Sequence, residues 1–213
     1  MVRKLLLVCG ILSSLLYAAM NVIGPIQFEG YSFISQTVSE LSAIGAPSRP
    51  LWIALGSAYS VLIIAFGRGI WMSAGEKRAL RIVGDLLVAS GVVGLVGWPF
   101  ASMHQREVLA AGGGTLSDTM HIILVTVTVL FMLVSIGFGA RAFGKWFRLY
   151  SIGTIALLLV SGALTGLDGP RVSANLPTPW VGVWERINIA GFLLWVAALA
   201  IILLRSKKGE NPQ

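Results

Sequence analysis

The sequence predicts an all-α membrane protein, a polytopic bundle of six transmembrane helices. Of its 213 residues, 56% are hydrophobic and only 12% are charged. Soluble domains carry about 25% charged residues, so lipid is the predicted solvent of this chain. A membrane span needs about 20 apolar residues, and the six such runs use most of the chain. We therefore predict a single transmembrane domain over residues 1–213.

The predicted spans are apolar runs bounded by charged or proline-containing segments. Arg3 and Lys4 precede the first run, which is longer than the core of a signal peptide and is interpreted as an uncleaved anchor. Pro50 opens the second span, at a helix position that favours proline. Glycines within the spans, among them Gly56 and Gly153, indicate close helix packing. The spans cover about residues 5–26, 51–72, 80–100, 118–140, 149–167 and 180–204.

Residues 33–44, between spans one and two, have intermediate polarity. They are too polar to cross the bilayer and too apolar for a free linker, so we predict a short amphipathic helix in the membrane interface. Glu40 follows Ser39 in this segment, and the apolar Leu41 and Ile44 indicate that the other face is buried. We therefore expect Glu40 to point at a defined partner.

The basic residues predict the orientation of the chain. Of 16 Lys and Arg residues, 12 fall in the segments that include both termini; the other 4 are Arg49, Arg106 and Arg171 in the three long loops and Arg186 near the outer end of span six. Lys and Arg concentrate on the cytoplasmic side of membrane proteins. We predict a multi-pass protein of the cell membrane with cytoplasmic N and C termini. The net charge of +7 then reflects topology, and no nucleic-acid partner is implied.

Polar residues concentrate in the predicted outer layer. Its acids are Glu29, Glu40, Glu107, Asp118, Asp168 and Glu185, six of the nine in the chain, and both histidines lie there too. Long loops in compact proteins are often functional, so we predict an outer-face polar pocket. The predicted ligand-binding residues are Ser39, Glu40, His104, Asp118, His121, Arg171, Glu185 and Arg186.

Asp118 and His121 stand three residues apart at the start of span four, and so share a helix face. His121 is either an interfacial histidine bonded to a loop carbonyl or a ligand or general base. Asp118 also fits a capping box with Thr115. His104, after span three, is either a solvated loop residue or part of the same site. Both readings of each residue stay open.

Glu185 and Arg186 lie within span six, where charged residues usually face the bundle or a water-filled cavity. We predict that both point inward. The structural alternative is an ion pair, with Arg186 to Asp118 or Glu185 to Arg171 as examples.

Two histidines and several carboxylates could bind zinc or another transition metal. His104 and His121 with one of Asp118, Glu40 or Glu185 would supply the three protein ligands of a catalytic zinc site. The spacing matches no standard signature, since the sequence contains neither HExxH nor paired CxxC. The candidate catalytic residues are His121, Asp118, Glu40 and Glu185.

The motif Ile34-Ser35-Gln36-Thr37-Val38-Ser39-Glu40-Leu41-Ser42-Ala43-Ile44-Gly45-Ala46-Pro47, followed by five more spans, resembles the bacterial family called domain of unknown function 998. The start of span four at His121 and Glu185-Arg186-Ile187 before Trp195 are similar as well. The resemblance covers nearly the whole chain. It implies a six-span prokaryotic membrane protein and no particular activity or catalytic residue.

Three functional hypotheses remain. The first is a binding or transport-like protein whose pocket holds a lipid or small amphiphile and opens to the lipid phase through a gap between helices. The second is a membrane-embedded hydrolase of a lipid-like substrate, with or without a metal, in which the histidines and a carboxylate converge. The third is a structural or sensory subunit, in which every outer acid is paired and no cavity exists. The bilayer is a partner in all three, and an oligomer is compatible with each.

Overall fold

A computed structural model describes residues 1–206 of the chain. Its helices are α1 Val2–Ile26, α2 Arg49–Ser73, α3 Arg78–Gly97, α4 Arg106–Ala110, α5 Leu116–Gly139, α6 Lys145–Leu167, α7 Gly169–Ser173 and α8 Val181–Arg205. Six of them are long and apolar enough to cross a membrane, which confirms the predicted helical bundle. Lys207 and Lys208, which contribute to the predicted charge asymmetry, lie outside the described residues.

The six long helices form a closed ring. Around the ring the order is α1, α2, α3, α5, α6 and α8, and α8 packs back against α1. Arg3 donates to the Ser73 hydroxyl at the end of α2 over 3.4 Å and to the Ser206 carbonyl after α8 over 3.3 Å. The start of α1 and the end of α8 therefore lie on one face, which we call the terminal face. Segments 27–48, 98–115 and 168–180 lie on the opposite loop face.

Apolar side chains fill the half of the ring next to the terminal face. Phe66 from α2, Ile136 from α5 and Trp195 from α8 are all completely buried there. Gly139 makes room for Trp195, because a Cβ at this position would collide with the indole ring. The indole N–H of Trp195 donates to the Ser151 hydroxyl over 3.0 Å. This half of the bundle is a packed core.

Glycines bring α2 and α3 into backbone contact. A Cβ added to Gly67 would lie 2.7 Å from the Gly84 carbonyl oxygen, and one added to Gly84 would lie 2.8 Å from that of Gly67. The predicted close packing is wrong for Gly56 and Gly153. A Cβ at Gly56 would meet only the Met20 methyl group, at 3.9 Å, and a Cβ at Gly153 would meet nothing within 4 Å.

The segment between α1 and α2 is a folded loop, in which the predicted short amphipathic helix is reduced to a single turn. Only Ser39–Ser42 forms a helical turn, of the 3-10 type. The loop backbone finds partners on α8: the Gly182 N–H donates to the Ile34 carbonyl over 3.0 Å. Gly182 permits this approach, since a Cβ there would collide with the Phe33 carbonyl oxygen. Backbone groups that bond to another helix have no need of an intra-segment helical ladder.

Candidate functional site

Residues 31–42, which we call the roof segment, lie against the start of α8. Glu185, about 6 Å below the first residue of α8 at 1.5 Å per residue, binds the segment through its carboxylate. One oxygen accepts from the Val38 backbone N–H over 2.6 Å, and the other accepts from the Ser39 hydroxyl over 3.2 Å. Glu185 therefore points towards the bundle, and its neighbour Ser39 belongs to the same site.

Arg186 binds the outer part of the roof segment. Its guanidinium donates to the Phe33 carbonyl over 2.8 Å and to the Tyr31 hydroxyl over 2.6 Å. It also lies over the Phe33 ring, 3.7 Å from the centroid. Burial raises the pKa of Tyr31 to about 12, so the phenol keeps its proton and donates it to the Thr37 carbonyl over 2.7 Å. The roof segment therefore binds both terminal nitrogens of Arg186, whereas the buried Nε has no hydrogen-bond partner within residues 1–206.

Glu40 forms a buried ion pair with Arg106 of α4. The two contacts are Nε to Oε1 at 2.7 Å and Nη2 to Oε2 at 2.9 Å. Only 3% of Glu40 and 8% of Arg106 are exposed. The Thr37 N–H and hydroxyl also donate to Glu40, over 2.6 and 2.9 Å. Two charges in a dry environment need this degree of hydrogen bonding to be tolerated.

Arg106 links three segments of the loop face. Besides Glu40, it donates to the Thr178 hydroxyl over 2.8 Å and to the Ser35 carbonyl over 3.0 Å. The sequence singled out Glu40 and predicted a defined partner for it, but not which one. Neither Arg106 nor Thr178 was a candidate, because no sequence spacing relates positions in three separate loops.

The ion pairs suggested for Glu185 and Arg186 do not form. Among residues 1–206, the ion pairs are His104 with Asp118, Arg106 with Glu40, and Arg171 with Asp168. Arg171 lies 3.8 Å from Asp168, and half of its side chain is exposed. Its other partner is the Pro177 carbonyl, at 2.9 Å. None of these contacts joins Arg171 to the other predicted ligand-binding residues.

His104 and Asp118 join the loop after α3 to the start of α5. The Asp118 carboxylate accepts from the His104 backbone N–H over 2.7 Å and lies 2.8 Å from His104 Nδ1. Since a carboxylate accepts, Nδ1 carries the proton. Asp118 also accepts from the Thr115 backbone N–H over 2.8 Å, within a capping box. The predicted cap is confirmed, and the same carboxylate orients His104.

His121 faces a different partner. Its Nδ1 donates to the Ala101 carbonyl over 2.9 Å, and only 3% of the residue is exposed. Its ring packs edge-on against Trp98, with the centroids 5.5 Å apart. These contacts match the first of the two sequence interpretations, a histidine bonded to a loop carbonyl.

The geometry gives the zinc hypothesis no support. Within the described part of the chain, no group of three or more His, Cys, Asp and Glu residues could hold a metal ion. Asp118 bonds to His104, while His121 bonds to a backbone carbonyl. A serine nucleophile would need a hydrogen bond to a histidine base. Within residues 1–206, no hydrogen bond joins a serine to either histidine.

A cavity of about 180 Å³ lies beneath the roof segment, inside the ring. Its wall is mostly apolar and contains the aromatic residues Tyr17, Trp52, Tyr59 and Trp98. Helices α1, α2, α3, α5 and α8 line it, but no residue of α6 does. Its polar lining residues are Ser39, Ser42, Ser57, Ser60, Ser90, Thr128, Glu185 and Asn188. Within residues 1–206, the lining contains one carboxylate and no Lys, Arg or His.

Of the eight predicted ligand-binding residues, only Ser39 and Glu185 line this cavity. The contacts of the other six lie in the loop layer. The small and hydroxyl residues that shape the wall are, apart from Ser39, absent from the predicted site. In α2 they recur at i and i+4, as Gly56 and Ser60, and in α3 as Ser90 and Gly94. This spacing, which places both members on one helix face, is the signal that could have located the cavity.

One family matches the sequence. Residues 11–202 match the family described as "Protein of unknown function (DUF998)". The match contains all six long helices, except the first turns of α1 and the last residues of α8. No curated protein and no solved structure matches the chain.

Proposed function

The chain belongs to the DUF998 family of membrane proteins, and we propose that it binds a small amphiphile in the cavity beneath the roof segment. One observation supports this function above the others: the cavity combines a largely apolar wall with the polar groups of Ser39, in the roof segment, and Glu185, which bonds to it. Such a combination suits a ligand with one apolar and one polar end, because pockets use a few polar groups to orient a ligand held by apolar surface.

The size of the cavity limits the ligand. Its volume of about 180 Å³ is slightly larger than the roughly 150 Å³ of a cavity that accommodates benzene. A single ring or a short alkyl chain with a small polar group fits this volume. A whole phospholipid does not. The lipid-or-amphiphile hypothesis therefore narrows to a small amphiphile.

We propose that the ligand reaches the cavity from the bilayer between α5 and α6, the neighbouring helices of the ring with the least extensive contact. Helices α5 and α8 line the cavity, through Val129 and Ile189 among others, whereas α6, which stands between them in the ring, contributes no lining residue. Helix α5 contacts α3 more extensively than it contacts α6. A route through this side would let an apolar ligand enter without crossing the polar loop layer.

The other two hypotheses have less support. A structural subunit was expected to have every outer acid in an ion pair, and Glu185 has no such partner among residues 1–206. A hydrolase requires a nucleophile beside a base. His104 and His121 bond to Asp118 and a backbone carbonyl instead, and neither histidine lines the cavity.

We expect the Gly56→Leu variant to lose the cavity site. Gly56 borders the cavity, and the nearest atom to its Cβ position is the Met20 methyl group at 3.9 Å, so a leucine side chain would extend into the cavity volume. The probe is 2-phenylethanol, added to the protein in lipid nanodiscs. Binding is followed by the fluorescence of Trp52 and Trp98, which line the cavity. We expect saturable binding to the wild type and an affinity at least about tenfold weaker in the variant, a change of about 1.4 kcal/mol.

Gly153→Leu is the matched control. Gly153 is an exposed residue of α6 with no neighbour near its Cβ position, so this variant should bind 2-phenylethanol like the wild type. Signals from empty nanodiscs are subtracted, because the probe also partitions into lipid. Equal binding by the Gly56→Leu variant and the wild type would overturn the proposed site.

We also propose that the terminal face is cytoplasmic and that the protein lies in the cell membrane. Loop-face arginines such as Arg106 and Arg186 are engaged with the protein itself, while Lys and Arg in the terminal segments supply the positive-inside signal. We expect alkaline phosphatase to be inactive when fused after Gln213 and active when inserted at Gly112. A green fluorescent protein fused after Gln213 should fluoresce. The opposite pattern of activity would contradict the proposal that the terminal face is cytoplasmic.

A further inference from the structure

We propose that the ligand of the cavity is a cation, a protonated or quaternary amine on a small apolar body, whose charge is paired with Glu185. This inference rests on the proposed function and specifies the class of ligand. Glu185 is partly accessible, as expected for a side chain that borders a cavity. Its carboxylate is the only charged group that residues 1–206 contribute to the wall.

Glu185 has no cationic partner within the described chain. The nearest arginine in sequence, Arg186, directs its guanidinium to Phe33 and Tyr31 of the roof segment. The donors to Glu185 are neutral: the Val38 N–H and the Ser39 hydroxyl. A carboxylate has about four lone-pair positions, so these two bonds leave capacity for further donors.

The position of Glu185 makes an unpaired charge costly. Charged residues within membrane spans are rare and pair with another group or face a cavity. Glu40, the acid within the roof segment, illustrates the usual solution, since Arg106 pairs with it at 2.7 Å. Glu185 has the hydrogen bonds of a carboxylate without the cation. A bound cation would complete the same arrangement.

The rest of the wall favours a positive group and disfavours a negative one. None of the Lys, Arg and His residues in the described part of the chain lines the cavity, so a phosphate or carboxylate headgroup would meet Glu185 without a compensating charge from them. Tyr17 and Trp52 pack edge-on with their ring centroids 6.1 Å apart. They belong to the same apolar cluster as Val38, whose N–H binds Glu185. Aromatic rings next to a carboxylate are the combination that recognises ammonium groups.

A pair of probes that differ in one terminal group tests the inference. 2-Phenylethylammonium and 2-phenylethanol share their ring and chain, and differ in an ammonium against a hydroxyl group. We expect wild-type protein in nanodiscs of uncharged lipid to bind the ammonium at least about tenfold more tightly. Glu185→Gln should reduce the ratio of the two affinities to about one, while Glu185→Asp, which retains the charge, should keep a preference for the cation. The anion 3-phenylpropionate should not bind to the wild type.

The outcomes separate this inference from the proposed function. If the wild type binds the ammonium and the alcohol with equal affinity and Gly56→Leu binds neither, the inference that the ligand is a cation is wrong, while the proposed amphiphile site is supported. Absence of Gly56-sensitive binding for both probes would overturn the site itself. The ratio is measured first on the wild type, so the test holds even if Glu185→Gln fails to fold. If that variant folds and keeps the wild-type ratio, Glu185 is not the counter-ion and the inference is wrong.

Discussion

Replacing Arg106 with leucine should lower the free energy of unfolding by about 3–5 kcal/mol, the range for removing one partner of a buried ion pair. The variant leaves Glu40 with 3% exposure and no cation, and it removes the link from Arg106 to Thr178. The free energy can be measured by reversible unfolding in mixed micelles, and the midpoint of thermal unfolding gives a second readout.

Two comparisons make the Arg106 test specific. Arg171→Leu removes a half-exposed arginine whose carboxylate partner lies at 3.8 Å, and we expect a change within about 0.5 kcal/mol, as for ordinary surface substitutions. The double variant Glu40→Leu/Arg106→Leu should be more stable than Arg106→Leu alone, because the isolated buried charge is gone. If Arg106→Leu and Arg171→Leu have equal effects, the ion pair does not stabilise the loop face.

As a single substitution, Trp195→Ala should lower the free energy of unfolding by about 3–5 kcal/mol, the usual loss for truncating a buried aromatic side chain. Trp195 is completely buried between helices, and its indole N–H bonds to Ser151. Within a bilayer, helices associate through packing contacts and hydrogen bonds, so the variant loses both kinds of interaction and leaves a void. The same unfolding measurement applies.

Trp146→Ala is the matched control for this site. Trp146 is 82% exposed at the start of α6, so its removal leaves no internal void, and the loss should be well below that of Trp195→Ala. Trp195→Phe should fall between the two, since it retains a ring but leaves Ser151 without its donor. A loss from Trp146→Ala that equals the loss from Trp195→Ala would contradict the assignment of the core to the terminal half of the ring.

The fold could be predicted because the lipid solvent leaves few choices. Every backbone polar group in the bilayer must be bonded within the protein, so apolar runs of span length become helices. The loop between α1 and α2 escapes this rule. Its Val38 N–H donates to the Glu185 carboxylate of α8, and its Ile34 carbonyl accepts from the Gly182 N–H of α8. Local patterning predicted a helix there because it contains no information about a partner about 150 residues away.

The site was predictable only in part, for a related reason. Charge in an apolar setting identified Glu40 and Glu185 as residues that need partners. It could not name Arg106, because pairing across loops depends on tertiary geometry. The cavity depends on geometry as well. Gly56 and Gly67 stand on the same helix and look alike in the sequence, yet Gly67 touches the backbone of α3 while Gly56 borders empty space.

The roof segment has a consequence for biosynthesis. The ribosome makes Val38 before α2, but the carboxylate that binds it belongs to Glu185, 147 residues later. At roughly 5–20 residues per second, translation takes about 7–30 s to cover that distance. Throughout this interval the segment lacks its anchor on α8. The roof segment can therefore cover the cavity only after the last span has entered the membrane. In a nascent chain that stops before α8, the cavity stays uncovered.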